Sequence, residues 1–416
     1  LGIPVAFAIL SAGMAYLATT GGSMLVVAQR LIYGLNSFTL LAVPLFILVG
    51  NLMDFGGISK RLTDWAKSIL GWLPGGLGIV TVFSCAIFAA LTGSGPATVA
   101  AIGSIMLPSM LKAGYSRETS AGLVASAGAL GPIIPPSIPM IIYGVTMNLS
   151  IPAMFMAGVV PGLVIALALS LVNVVFAYRN PEVLKHAKTM KFDFKESMKL
   201  FWKALGALGL PVLILGGIYG GIFTPTESAA VGIVYALILG FALKELKVKD
   251  LPKILINSLK TSTMVNFIIA AASLFSWVVS KSQIGIVISN AFISFVGGSQ
   301  ALYLFVLVVV LLIVGCLMDN VAATLILAPI LIPVGIALGC NELHIGMLFC
   351  ICLVVGFVTP PFGYNLFTAV SISGLNFKQI VKGALPFLLT EILLLFVFAY
   401  VPGIITWLPR LMGYGY

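Results

Sequence analysis

Charged side chains are what this sequence has least of: Asp, Glu, Lys and Arg together make up 8% of its 416 residues. A soluble globular domain carries roughly 25%. So few charges cannot cover a surface that faces water, and with 60% of the chain hydrophobic the solvent that fits is lipid. Histidine is scarcer still, with His186 and His344 far apart in the chain. The five cysteines, Cys85, Cys316, Cys340, Cys350 and Cys352, form no Cys-x-x-Cys pair. This leaves no ligand spacing for a zinc-type metal site, and the cysteines read as small apolar packing residues. A membrane enzyme acting on lipid would need a nucleophile and base, or a metal cluster, within the apolar runs; no such set is present.

What the chain has instead is apolar runs of helical length. They fall near 2–19, 36–55, 76–92, 96–111, 119–134, 137–148, 151–178, 204–221, 226–243, 262–280, 300–318, 321–338, 344–358, 361–373 and 384–406. A spanning helix takes about 20 apolar residues, so several are too short to cross alone. Gly2–Ala18 lacks a basic leader and a small-residue cleavage pattern, so it reads as a spanning helix and not a signal sequence. Leu1 in place of Met predicts that a short N-terminal piece precedes it. Three stretches are amphipathic: Ile58–Leu73, Arg179–Lys203 and Lys244–Lys260. They are expected to lie on the membrane surface, with solvated loops as the plainer alternative.

Polar tips break two pairs of runs, Thr92-Gly93-Ser94-Gly95-Pro96 in one and Met318-Asp319-Asn320 in the other. Double prolines, Pro135-Pro136 and Pro360-Pro361, break two more. Helix interruptions in lipid are tolerated only where the freed backbone meets protein or a polar cavity. A shift of 225 residues superposes these features. Pro108 falls on Pro333, Gly114 on Gly339, Gly131 on Gly356, Pro135-Pro136 on Pro360-Pro361, Gly158 on Gly383 and Pro161 on Pro386. The match runs about 70 residues without a gap. Each half therefore carries a broken hairpin followed by an interrupted helix.

Charge sets the relative orientation of the halves. With Arg179–Lys203 in the cytoplasm, Lys244–Lys260 is cytoplasmic too, and the two hairpins enter the bilayer from opposite sides. Nineteen of the 22 basic residues then lie inside; Arg30, Lys281 and Arg410 are the exceptions. The net charge of +10 is thus topological, which disposes of a nucleic-acid partner. The expected fold class is an all-α integral membrane protein with an inverted repeat.

Inverted repeats with broken helices suit alternating access. Half-helix N-termini attract anions, and unwound carbonyls suit sodium. Channels also use broken hairpins, but the repeat is more simply explained by a carrier. The polar residues at the breaks are candidates for substrate contact: Ser94, Thr98, Ser137 and Tyr143 in the first half, Asp319, Asn320, Thr324 and Asn365 in the second, with Thr92, Thr359 and Tyr364 close by. Their hydroxyls have a blander use, bonding back to their own helices. Asp319 is ionisable at membrane depth, a functional position by default, and can also cap the helix that follows. Glu227 fits a helix cap or a substrate contact, Glu391 an interfacial or packing contact, and Asp54 a helix end. No Lys or Arg falls at the breaks. An organic anion would then be held by dipoles, hydroxyls and a co-bound cation, which predicts sodium coupling.

Several motifs, in order along nearly the whole chain, carry a resemblance. They are Gly2-Ile3-Pro4-Val5-Ala6-Phe7-Ala8, Pro44-Leu45-Phe46-Ile47, Thr92-Gly93-Ser94-Gly95-Pro96-Ala97-Thr98, Gly131-Pro132-Ile133-Ile134-Pro135-Pro136-Ser137, Gly221-Ile222-Phe223-Thr224-Pro225-Thr226-Glu227-Ser228-Ala229 and Thr359-Pro360-Pro361. With them the sequence resembles the large membrane subunit of tripartite ATP-independent periplasmic (TRAP) transporters. The resemblance implies an elevator-type carrier in the bacterial inner membrane, driven by sodium and taking up sialic acids or C4-dicarboxylates. It implies transport segments at 76–160 and 300–376 between scaffold segments at 1–75, 161–299 and 377–416. It also implies two partners, a small four-helix membrane subunit and a soluble periplasmic binding protein. In some members the small subunit is fused, and Leu1 fits a position after such a fusion. One sodium site maps to Gly93, Ser94, Pro135 and Pro136, the other to Asp319, Thr359, Pro360 and Gly363, with substrate between them. A stand-alone sodium–carboxylate symporter without a binding protein is the alternative.

Overall fold

The structure is a computed structural model and describes residues 3–415. The parts of the first predicted helix and first motif that rest on Gly2 lie outside the described residues. The chain opens with α1 (Val5–Thr19) and α2 (Leu25–Leu35), then a short 3-10 turn, α3 (Ala42–Phe55) and α4 (Ile58–Leu70). The first hairpin is α5 (Gly76–Thr92) with α6 (Gly95–Lys112), and the first interrupted helix is α7 (Arg117–Gly128) with α8 (Ile138–Met147). Then come α9 (Ile151–Tyr178), α10 (Pro181–Thr189), α11 (Phe194–Tyr219), α12 (Pro225–Ala242), α13 (Leu251–Ser282) and α14 (Ile284–Val296). The second hairpin is α15 (Gln300–Leu317) with α16 (Asn320–Ala337), the second interrupted helix α17 (Glu342–Gly356) with α18 (Tyr364–Ser373), and α19 (Phe377–Tyr400) and α20 (Gly403–Leu411) close the chain. Among the described residues there is no strand. Among the described residues, eight helices are long and apolar enough to cross a membrane.

The repeat is longer than its sequence signature. Adding 225 to the limits of α6, 95 and 112, gives 320 and 337, the limits of α16. The same step carries α4 (58–70) to 283–295, against 284–296 for α14. It also carries the span from α2 to α3 (25–55) to 250–280, against 251–282 for α13. One half breaks this helix near Asn36 and the other keeps it whole. The halves interlock: α6 packs on α18 and α16 on α8, while α3 packs on α12 and α1 on α13.

Prolines end α7 and α17 for a plain reason: Pro132 stands four residues after Gly128, and Pro360 four after Gly356. Proline lacks an N–H and clashes with the preceding turn. The predicted helix 119–134 accordingly stops at Gly128, with turns over 129–133 and bends over 134–136. Both Pro-Pro bonds are cis. Small residues let α7 and α19 meet backbone to backbone: Gly122 lies against Gly383 and Ala384, and Gly383 against Glu118. Such contacts drive helix association where lipid offers no hydrophobic incentive. Rows of exposed leucines, Leu163, Leu167 and Leu171 on α9 and Leu385, Leu389 and Leu393 on α19, face outward as lipid contacts.

Two expected surface segments fold differently. Lys195, Lys199 and Lys203 belong to the first turns of α11, and Lys253 and Lys260 to α13. Asp193 starts α11 early by accepting from the amides of Lys195 (2.8 Å) and Glu196 (3.2 Å), and long lysine stems can reach water from within a helix. Ile58–Leu73 forms α4 and buries Ile58, Leu62 and Ala66.

Candidate functional site

A cavity of about 620 Å3 lies where the four broken ends meet. Ser94, Gly95 and Pro96 line it from the start of α6, and Asp319, Asn320 and Val321 from the start of α16. Ile138 and Pro139 line it from the start of α8, and Tyr364 from the start of α18. All four half-helix N-termini therefore border one space. Three have no side-chain cap: Ser94, Ser137 and Gly363 make none, while Asp319 accepts from the Val321 amide at 2.8 Å. Uncapped N–H groups and aligned peptide dipoles make these ends electropositive.

Each tip sits on the break of its own half. A Cβ on Gly93 would lie 2.9 Å from the Pro136 carbonyl oxygen, and one on Gly131 would lie 2.6 Å from that of Ser94. Gly93 also takes a left-handed φ of +59°, open to glycine without steric penalty. In the second half the Gly363 amide donates to the Cys316 carbonyl at 3.5 Å, and Gly356 lies against Gly315.

Of the eight residues proposed from sequence as substrate contacts, Ser94, Asp319 and Asn320 line the cavity. Both side-chain polar atoms of buried Asn320 lack a protein partner, as does the hydroxyl of Thr324 one turn deeper. Thr98 stands behind the first tip, donating to the Ser94 carbonyl at 2.8 Å and lying 3.2 Å from the Thr92 hydroxyl. Ser137 donates to the Pro132 carbonyl. Asn365 bonds the Ala125 carbonyl at 3.0 Å and leaves its Oδ1 free. These three brace the lining from behind. Tyr143 faces elsewhere, packing on Phe349 with ring centres 5.6 Å apart and closing over Gly346 of α17.

Gly93 lines the cavity; Pro135, Pro136, Thr359, Pro360 and Gly363 sit behind the tips and off its surface. Thr359 donates to the Val355 carbonyl of its own helix at 3.0 Å. Glu227 closes a capping box with Thr224. Glu391 is buried with neither oxygen bonded.

The opposite wall comes from helices away from the four breaks: Asn51 and Asp54 of α3, Lys60 of α4, and Thr261, Met264 and Val265 of α13. Asn51 donates to the Ser258 hydroxyl at 2.8 Å and so joins α3 to α13. Small side chains, Ala97, Ala100, Ala101 and Ser104, extend the cavity along α6 away from the tip. The far end carries Asp54, Lys60 and Ser104, all exposed. It is the mouth, and under the charge-derived topology it faces the cytoplasm. Nearby, Lys67 of α4 donates to the Ser109 hydroxyl of α6 at 3.0 Å, and burial holds its ammonium below the usual lysine range.

The family model described as "Tripartite ATP-independent periplasmic transporter, DctM component" matches residues 1–404. The isethionate TRAP transporter permease protein DctMQ of Oleidesulfovibrio alaskensis is 39% identical over 97% of this chain and 63% of its own length. This chain thus spans just under two thirds of that relative. The C4-dicarboxylate TRAP transporter large permease protein DctM of Pseudomonas aeruginosa is 39% identical over 97% of this chain and 94% of its own. The sialic acid TRAP transporter large permease protein SiaM of Vibrio cholerae is 34% identical over 100% and 96%. Among solved structures, the YdaH transporter of Alcanivorax borkumensis superposes with a TM-score of 0.67 over 100% of this chain and 99% of that one, at 13% identity, a likeness of fold.

Proposed function

This chain belongs to the DctM component family of tripartite ATP-independent periplasmic transporters, and from that premise we propose that it is the carrier of a sodium-coupled uptake system for an organic acid. It is a multi-pass inner-membrane transporter and not an enzyme. One observation carries the proposal: four half-helix N-termini, three without side-chain caps, border a single cavity. That arrangement favours an anion, and no Lys or Arg stands at the tips to neutralise it.

A bound cation beside Asp319 would offset both the carboxylate and the cargo. Sodium takes oxygen ligands, and the unpartnered oxygens of Asn320 and Thr324 in the first turns of α16, with that of Asn365 against Gly95 of the first tip, support that choice. The two sodium positions fall at Gly93, Ser94, Pro135 and Pro136, and at Asp319, Thr359, Pro360 and Gly363. The cargo belongs to the carboxylate or sulfonate class that the relatives' names span, with sialic acids and C4-dicarboxylates foremost. The hairpins and interrupted helices, within 76–160 and 300–376, move as a body against 1–75, 161–299 and 377–416 in an elevator cycle. A periplasmic binding protein delivers the cargo, and a small four-helix subunit completes the membrane part.

The test is uptake into proteoliposomes holding the two membrane subunits, with the binding protein outside. Uptake is expected to need inward sodium. Equal uptake with potassium or choline in its place removes the sodium coupling. Equal uptake of free substrate by this chain alone favours a stand-alone symporter.

A further inference from the structure

Arg30 and Lys281 are two of the three basic residues that fall on the outer side of the membrane, and the structure brings them together across 251 positions of sequence, 281 less 30. The Arg30 guanidinium lies 5.5 Å from the centre of the Trp277 ring and 5.5 Å from that of Tyr33. The Lys281 ammonium lies 5.1 Å from the centre of the same Trp277 ring. Gly34 permits the approach: a Cβ there would stand 2.5 Å from the Ser273 Cβ. Ser273 is one turn before Trp277, so the close seating of α2 on α13 sets Arg30 beside the indole.

Two cations on one ring repel each other, and an aromatic face offsets that only in part. Among the described residues no carboxylate pairs with either of them. No Asp or Glu occurs in residues 1–53 or 251–318, and the ion pair among the described residues, Arg61 with Glu245, is elsewhere. The anion must therefore come from outside the chain. The surroundings define it. No residue of α2 is buried, and Leu25, Ile32, Tyr33 and Leu35 stand exposed around Arg30. Tryptophan and tyrosine settle at headgroup depth. The anion found at that depth, beside apolar chains and whatever protein is bound, is the lipid phosphate.

We infer that Arg30, Lys281 and Trp277 bind the phosphodiester of an anionic phospholipid in the outer leaflet, with its acyl chain along the exposed face of α2. The guanidinium and ammonium hold the phosphate oxygens by charge-assisted hydrogen bonds, and the indole fixes both cations.

Native mass spectrometry of the purified chain, titrated with phosphatidylglycerol or phosphatidylcholine, tests this. The parent is expected to retain one phosphatidylglycerol in preference to phosphatidylcholine. The Arg30→Gln, Lys281→Gln double variant is expected to hold it roughly thirtyfold more weakly, and each single variant to fall between. Lys249→Gln, an exposed lysine on the cytoplasmic side, should bind as the parent does. Millimolar inorganic phosphate should not displace the lipid, because it lacks the acyl contact. Equal retention by parent and double variant, or equal retention of the two lipids, overturns the inference. So does a double variant that keeps its lipid while losing a co-purifying membrane polypeptide, which would give the cations to a protein partner. A monodisperse elution profile guards the double variant against a folding defect.

Discussion

Asn365, on α18 of the second half, donates its side-chain N–H to the carbonyl of Ala125 on α7 of the first half at 3.0 Å. The bond crosses 240 positions of sequence and fastens one interrupted helix to the other behind the cavity. Asn365→Ala leaves a buried carbonyl unpaired, a loss of about 1–3 kcal/mol. The thermal midpoint in detergent should fall; an unchanged midpoint would mean that Ala125 finds another donor.

Gly93→Ala should stop transport while leaving the protein in the membrane. The substitution puts an L-residue at φ +59° and a methyl 2.9 Å from the Pro136 oxygen. The backbone penalty alone is about 1–2 kcal/mol. Gly339→Ala is the control, because it has a φ of +83° with nothing within 4 Å of the added Cβ. It should lose similar stability and keep its uptake. Equal uptake by the two variants would show that the contact at the tip is irrelevant.

Asp319 has two separable roles. Asn at this position can still cap α16 through its oxygen, whereas Ala cannot. Asp319→Asn should keep the stability of the parent and lose the sodium dependence of uptake. Asp319→Ala should lose both, with a stability deficit of about 0.5–2 kcal/mol. A sodium response that survives in Asp319→Asn assigns the carboxylate to capping alone.

Lys60 is the cationic side chain among the described residues lining the cavity, and it stands at the mouth. Lys60→Glu should weaken the apparent affinity for the organic anion on the mouth side several-fold, by counterflow from that face, and leave affinity on the other face unaltered. Added salt should shrink the difference, because exposed charges are screened within about 10 Å at 0.1 M. Lys60→Arg should behave as the parent.

The pair of half-buried Arg61 and exposed Glu245, 3.1 Å apart, should matter little. Glu245→Gln is expected to change stability by less than about 1 kcal/mol, measured by the same melting assay.

The breaks were legible because glycine, proline and isolated polar residues cannot sit in a lipid-buried helix without cause. The starts of α6 and α16 follow directly from Gly95-Pro96 and Asp319-Asn320. Helices α2 and α14, at 11 and 13 residues, fall short of spanning length, and unlike the equally short α8 and α18 they have no double proline beside them to mark where they start. Side-chain direction was harder still. After a double proline the helix restarts at a rotation that spacing does not specify, so Tyr143 turns toward α17 while Tyr364 turns into the cavity. Asn51, Lys60 and Thr261 come from helix positions away from the breaks and carried no local mark.

The interlocking of α6 with α18 has a consequence for biosynthesis. Gly95 leaves the ribosome 269 residues before Tyr364, since α6 starts at 95 and α18 at 364. Until then the first hairpin sits in the bilayer with its polar tip unmatched by the partner that will cover it. This contact therefore cannot close until α18 has been made, and α6 must hold its place in the meantime on contacts within its own half.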